Sequence, residues 1–151
     1  MTAGLHDRFR DAADLLAGAL AELGVETQVG EIAGEYCPGA YTVSAAGRIK
    51  LVGSAQRAVR GGALLSAFIL VGGGDRLRAV LFDVYRALEI AWRPATAGAL
   101  DDVAPGVTSE AVEAAILAAR SEDRELTEAT VDPASLALAR TLEERHRWPF
   151  D

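Results

Sequence analysis

The stretch that decides the fold runs Gly34-Glu35-Tyr36-Cys37-Pro38-Gly39-Ala40-Tyr41 and resumes at Gly47-Arg48-Ile49-Lys50-Leu51-Val52-Gly53-Ser54-Ala55-Gln56-Arg57. Its first part reads as a turn, because Pro38 fixes one backbone angle and Gly39 admits a positive φ. Its second part reads as a strand over Arg48 to Ala58, joined through a turn near Ala46-Gly47 to a shorter strand over Tyr41 to Ser44. Successive side chains of a strand alternate between faces. A period of two puts Lys50, Val52, Ser54 and Gln56 on one face and Ile49, Leu51, Gly53 and Ala55 on the other. The second face is apolar and core-like, whereas the first presents an ammonium, a hydroxyl and an amide in a row. Gly53 inside a strand is the kind of residue that marks a close approach by a ligand or another backbone. The same pattern also fits an edge strand whose polar face is simply solvated.

Upstream, Leu5, Phe9, Ala12, Leu16, Leu20 and Leu23 recur at steps of three and four. That spacing predicts an amphipathic helix over 5–23 with Gly24 as its stop. Glu26 to Ile32 alternates weakly, as a strand does. Downstream, Gly61-Gly62 breaks the chain, and Ala63 to Val71 is almost continuously apolar, as expected of a central strand covered on both faces. After Gly72-Gly73-Gly74 the texture is helical, with Asp75 as candidate N-cap and Leu77, Val80, Leu81, Val84, Leu88 and Trp92 as one apolar stripe. Arg93 to Pro105 reads as a loop. Thr108 can cap a second helix, and Asp132-Pro133 is the cap-then-proline start of a third. Helix, strands, then helices is an α+β order with a mostly antiparallel sheet flanked by helices.

The 151 residues make one domain's worth of chain, half of them apolar, a quarter charged, with a net charge of −7. That charge argues against nucleic-acid and anionic-membrane partners, since neither polyanion is attracted to it. The longest apolar run is far short of the roughly 20 residues of a membrane span. No secretion signal is visible at the N-terminus, and the single cysteine, Cys37, suits a reducing compartment, so the expectation is a cytoplasmic protein.

Cys37 is either an inert packed thiol or a reactive one. If its turn folds over Lys50, the ammonium favours the thiolate, and a thiolate beside a cation suits a thioester intermediate. His6 and His146 stand alone, without metal-ligand spacing, and no metal site is expected. Gly72-Gly73-Gly74-Asp75 lacks the GxGxxG and GK[ST] phosphate patterns. Arg57 and Arg60 fit a solvated hairpin end as well as an anion contact. Phe82, Tyr85, Trp92 and Trp148 are most simply core.

Taken together, the Glu35-Tyr36-Cys37-Pro38-Gly39 turn, the stretch from Gly47 to Arg57 and the Gly61-Gly62 pair resemble the biotin/lipoate protein ligase superfamily, which holds lipoate–protein ligases and octanoyltransferases. The resemblance implies that Lys50 is the family's acyl-contacting lysine. The cysteine turn is most similar to the octanoyltransferases and amidotransferases that carry the acyl group as a thioester, which implies Cys37 as nucleophile. Gly61 and Gly62 stand where ligases usually show His-Gly, and so side with the cysteine-dependent form. Gly53, Ser54, Ala55, Gln56, Gly61 and Gly62 would line the acyl site.

The implied function is transfer of an octanoyl or lipoyl group to a lysine of a lipoyl-carrier domain, of the glycine-cleavage H protein or a 2-oxoacid dehydrogenase. No covalently bound cofactor is expected; ATP and Mg²⁺ would enter only if the chain is a ligase with Cys37 a bystander. A third alternative is a non-catalytic accessory subunit that completes a partner's acyl site. The resemblance makes residues 1–151 a single partial domain, the C-terminal half of a catalytic domain over 5–105 followed by C-terminal helices over 106–151. Family members carry an arginine- and glycine-rich loop ahead of this region, and residues 1–24 hold nothing like it. The expectation is that this loop comes from upstream sequence or from a second polypeptide, and that an apolar strand edge is left exposed.

Overall fold

Leu5–Glu22 forms the first helix, α1, and turns Ala13, Leu16, Ala17, Ala19 and Leu20 inward. At its start the Asp7 carboxylate accepts the Gly4 N–H at 3.0 Å, satisfying one of the donors a helix leaves open. The computed structural model describes residues 4–147. Along them follow strands β1 (Thr27–Val29), β2 (Val43–Ala45), β3 (Ile49–Val59) and β4 (Gly62–Ile69), then helices α2 (Gly74–Ala87), α3 (Ser109–Ser121) and α4 (Pro133–His146). The four strands make one antiparallel sheet in the order β1-β2-β3-β4. This is the α+β architecture expected from the sequence. Among the described residues no helix is long and apolar enough to cross a membrane.

The register of β3 differs from simple alternation. Ser44 pairs with Lys50, but Val43 pairs with Val52, so Leu51 is an extra residue without a partner of its own. A bulge of this kind resets which face each following residue takes. Lys50 therefore shares a face with Gly53 and its partner Phe68, a β-carbon on Gly53 lying 3.3 Å from Lys50 Cε. The side chains of Val52, Ser54 and Gln56 take the opposite face. The row Lys50, Ser54, Gln56 drawn from the sequence is broken at Leu51. Gln56 instead ties α1 to the sheet: its Oε1 accepts from Arg8 Nε at 2.8 Å and its Nε2 donates to Leu5 O at 2.7 Å.

Three other expectations are corrected. β4 is a terminal strand, and none of its residues is buried, Leu64 being 69% exposed. The apolar run therefore marks an uncovered wall and not a central strand. The N-cap of α2 is Gly73, in the left-handed region at φ 82°, while Asp75 lies in the first turn and pairs with Arg78. Half of the apolar stripe of α2 stays in the open, with Val80, Val84 and Leu88 exposed and Leu77, Leu81 and Trp92 partly covered; Phe82, read as core, is exposed too. Finally, the "loop" after Arg93 is core. It contains 3-10 turns at Pro94–Thr96 and Leu100–Asp102, and Thr96, Ala97, Ala99 and Leu100 are almost wholly buried. Its backbone bridges Lys50 at Ala97 and bonds Leu70 and Val71 through Leu100 and Asp101.

Thr108 and Asp132 cap α3 and α4 as expected, accepting backbone N–H groups of Ala111 and of Ala134 and Ser135. α3 packs on α1 through Val112, a member of the buried cluster that also holds Val25, Val43, Leu51, Val52 and Leu100. α4 has no buried residue. Trp148 lies outside the described residues.

Candidate active site

The turn and the bulged strand meet at Lys50. Its ammonium lies 2.9 Å from Glu35 Oε2 and donates to the carbonyls of Tyr36 at 3.1 Å and Cys37 at 2.8 Å. An ammonium has three donors, and these three partners use them all. Both charges are nearly dry, with side-chain exposures of 3% for Lys50 and 0% for Glu35. Such a pair persists only when its remaining valences are met. Glu35 meets them: its Oε1 accepts the N–H of Ile32 at 3.1 Å, and the Thr42 hydroxyl donates to Oε2 at 2.9 Å. The Lys50 ammonium also sits 4.9 Å above the centre of the Tyr36 ring. Burial, followed by the neighbouring Cys37, Glu35 and Tyr85, pushes the Tyr36 phenol up to about 12.

This network holds the next residue in an uncommon conformation. Cys37 has φ +42°, a left-handed angle that few non-glycine residues adopt. Gly39, the expected site of a positive φ, does not need one; Gly34 at φ 77° and Cys37 make the turn instead. Cys37 is exposed, with its N–H donating to Tyr85 Oη at 2.8 Å and the Tyr85 hydroxyl donating back to Sγ at 3.8 Å. Strain of this sort persists where the surroundings over-determine it. Here Lys50 grips the carbonyl of Cys37 and Tyr85 its amide.

Cys37 and Lys50 open on one cavity of about 660 Å³. Its walls are mostly apolar or small, including Phe9, Pro38, Tyr41, Ala55, Ala67 and Phe68. Phe9 stacks on Tyr41 with ring centres 5.5 Å apart, and His6 Nδ1 lies 3.2 Å from the Tyr41 hydroxyl at the rim. A β-carbon at Gly53 would overlap the Phe68 ring, so this glycine is what leaves room there. The structure thus gathers Cys37, Lys50, Gly53, Ser54 and Ala55 around one space. Gln56, Gly61 and Gly62 are not among its lining residues. The glycine pair lies at the tip of the β3–β4 hairpin, about 20 Å along the strand from Gly53 at some 3.3 Å per residue.

Sequence reasoning missed Glu35, Thr42 and Tyr85. A lysine buried inside a strand implies a counter-charge, and Glu35 in the same motif was available to supply it. Tyr85 had no such signal, since only the tertiary fold carries it from α2 to the cysteine.

No protein-family model matches the chain. It is 43% identical over 67 residues to an octanoyl-[GcvH]:protein N-octanoyltransferase of Geobacillus kaustophilus, covering 44% of this chain and 23% of that one. It is 46% identical over 59 residues to the protein of the same name from Exiguobacterium sibiricum, covering 38% and 21%. In fold it is similar to a lipoate–protein ligase A bound with ATP, with a TM-score of 0.71 and 22% identity over 96% of this chain and 57% of that one. It is also similar to a bi-partite lipoate protein ligase, described with its E2 lipoyl domain, from Thermoplasma acidophilum, with a TM-score of 0.66 over 91% and 53%. The matched segment is thus under a quarter of the length of these two curated relatives, and the fold a little over half of the solved ligases.

Proposed function

We propose that this chain, which falls in the biotin/lipoate protein ligase superfamily, supplies the cysteine-and-lysine part of a site that moves an octanoyl or lipoyl group to a lysine of a lipoyl-carrier domain. One observation carries the reading. A solvent-reachable thiol in a strained turn stands at an apolar cavity, and a buried ammonium is bonded to that turn's own carbonyl. The Cys37 thiolate attacks the acyl carbon of the donor. The new C–S bond forms as the donor's leaving group takes the electron pair of the bond that breaks. Developing charge on the acyl oxygen needs a donor at hand. Lys50 provides one by exchanging the Cys37 carbonyl, its most exposed partner, for the acyl oxygen while Glu35 keeps the ammonium in place. Gly53, Ala55 and Phe68 line the path of the hydrocarbon chain.

The glycine-cleavage H protein and 2-oxoacid dehydrogenase lipoyl domains are the carriers of suitable chemistry, and a single unpaired cysteine fits a reducing cytoplasm. An arginine- and glycine-rich segment, on the same or another polypeptide, completes the acyl site in this reading, with residues 5–105 as the catalytic part. Intact-mass analysis after exposure to an octanoyl-loaded carrier tests it. One octanoyl group on Cys37, released by hydroxylamine and missing in Cys37→Ser, is expected. An unlabelled wild-type chain, with that segment supplied, refutes the thioester.

The solved fold relative with bound ATP keeps the ligase reading in view. There ATP and Mg²⁺ activate the acid, and Cys37→Ser retains adenylate formation while Lys50→Ala loses it. Acyl binding without any transfer selects the accessory-subunit reading.

A further inference from the structure

Tyr85 stands in an unusual relation to the cysteine. Its oxygen accepts the Cys37 N–H and its proton points at the same residue's sulfur, so one phenol touches both backbone and side chain. It comes from α2, where Val80, Phe82 and Val84 are exposed. Tyr85 is partly covered, as are Leu77 and Leu81, and packs on Trp92 at 5.1 Å between ring centres, with Trp92 in turn edge-on to Tyr36.

We infer that Tyr85 is a catalytic residue of this site, its O–H donating to the Cys37 sulfur and sharing the negative charge whenever that sulfur is a thiolate. The inference rests on the nucleophilic role proposed for Cys37. A hydrogen bond to a charged acceptor is about twice as strong as one to a neutral acceptor. The Tyr85 bond is therefore weak on the thiol and on the thioester, and strong at the two moments when sulfur carries charge. In the first, thiolate attacks the donor. In the second, the carrier amine attacks the thioester: the C–N bond forms, the C–S bond breaks, its electron pair stays on sulfur, and the amine's proton leaves to solvent. An interaction that strengthens as charge develops raises the rate of that step. Burial, with the bond to the thiol, outweighs the opposing pull of the Cys37 N–H and raises the Tyr85 phenol above its ordinary value, so the hydroxyl is a donor at neutral pH. Among the described residues, the charged and titratable groups around Cys37 are Glu35 and Tyr36 from its own turn, Lys50 from β3, Tyr85 from α2, and Tyr41 with His6 of α1 across the cavity.

Tyr85→Phe keeps the ring on Trp92 and removes only the hydroxyl. Iodoacetamide alkylation of Cys37 across a pH series reads the thiolate directly. The profile is expected to move about one pH unit toward alkaline, with a plateau roughly threefold higher, because a thiolate freed of its donor is the better nucleophile. An unmoved profile overturns the assignment. So does a uniform rise at all pH values, which reports only a loosened turn, and so does the same displacement in Trp92→Phe, which leaves the hydroxyl and disturbs its packing. Because no acyl group is involved, a chain that never accepts octanoate but shows the displaced profile fails the proposed function and passes this test.

Discussion

β2 with the first half of β3 and β4 with the second half of β3 belong to one sheet, yet they live in different surroundings. Val43, Leu51 and Val52 are sealed, with the buried cluster of α1 against them and the Thr96–Leu100 segment beside Lys50. Further along the same ladder, Val59 and Leu64, the partner of Arg57, stand in the open. The candidate site sits on the border between these regions. From the sealed side it takes a dry ion pair, which would be costly anywhere water could not be replaced by exact partners. From the open side it takes an apolar wall at Ala67 and Phe68 that a hydrocarbon chain can cover. Neither region alone supplies both a fixed charge and a greasy, reachable surface.

The strongest way to break this comparison is at its sealed side. Lys50→Met leaves the Glu35 carboxylate buried without its counter-charge and is expected to cost about 3–5 kcal/mol in urea unfolding. The double variant Glu35→Gln with Lys50→Met removes both charges while keeping an acceptor for Ile32 and Thr42, and should recover part of that loss. If the single and double variants are equally unstable, the pair is not the keystone of the turn. The same chemistry applied on each side sharpens the contrast. Leu51→Ala empties a fully buried site and should cost about 2–5 kcal/mol, while Leu64→Ala, at 69% exposure, should stay within about 0.5 kcal/mol. Similar losses at the two positions would mean that β4 is covered in solution.

How far the sequence could be read follows the same border. Local signals were legible: Thr108 and Asp132 as caps, Gly24 as a helix stop, Ala46-Gly47 as a hairpin turn, where φ values of 49° and 65° let the Arg48 N–H reach the Ala45 carbonyl at 2.9 Å. Cys37 and Lys50 were legible as a pair because they belong to one motif. The bulge at Leu51 was not, since an extra residue leaves no mark on a pattern of two, and it moved Ser54 and Gln56 off the face of Lys50. Nor could hydrophobicity tell a strand covered on both faces from one left open, as the run from Ala63 to Val71 shows. The connection 93–105, rich in alanine and bounded by prolines, has no helical or strand period, and nothing in it showed that Thr96–Leu100 would be buried beside the site.

At the border itself, Gly53→Ala is the incisive change. Its new methyl group would meet the far end of the Phe68 ring, and Phe68, at 48% exposure, can swing aside. Stability should therefore fall by less than about 1 kcal/mol, below the usual cost of overpacking. The cavity should narrow nonetheless, and octanoyl loading of Cys37 should slow severalfold more than alkylation by a small reagent. Gly53→Ala with Phe68→Ala should restore loading. Equal slowing of both reactions would place the effect on the thiol and not on the acyl path.

The smallest expected effect lies farthest from the sealed region, in α4. Asp132 accepts the N–H groups of Ala134 and Ser135 at 3.0 Å each and the Ser135 hydroxyl. The Ser135 hydroxyl, with these amides, holds its carboxyl below the ordinary value. A depressed carboxylate pKa contributes stability that is present above the unfolded value, near 4, and is lost as pH falls through the lowered one. α4 buries nothing, so what is lost there has no route into the core. Amide protection of 134–140 should fade in that acid window ahead of protection in β2 and β3. Asp132→Ala should show the same fraying at neutral pH, with no change in the main unfolding transition. If that transition shifts with Asp132→Ala, α4 is coupled to the sheet and the border between sealed and open regions has been drawn in the wrong place.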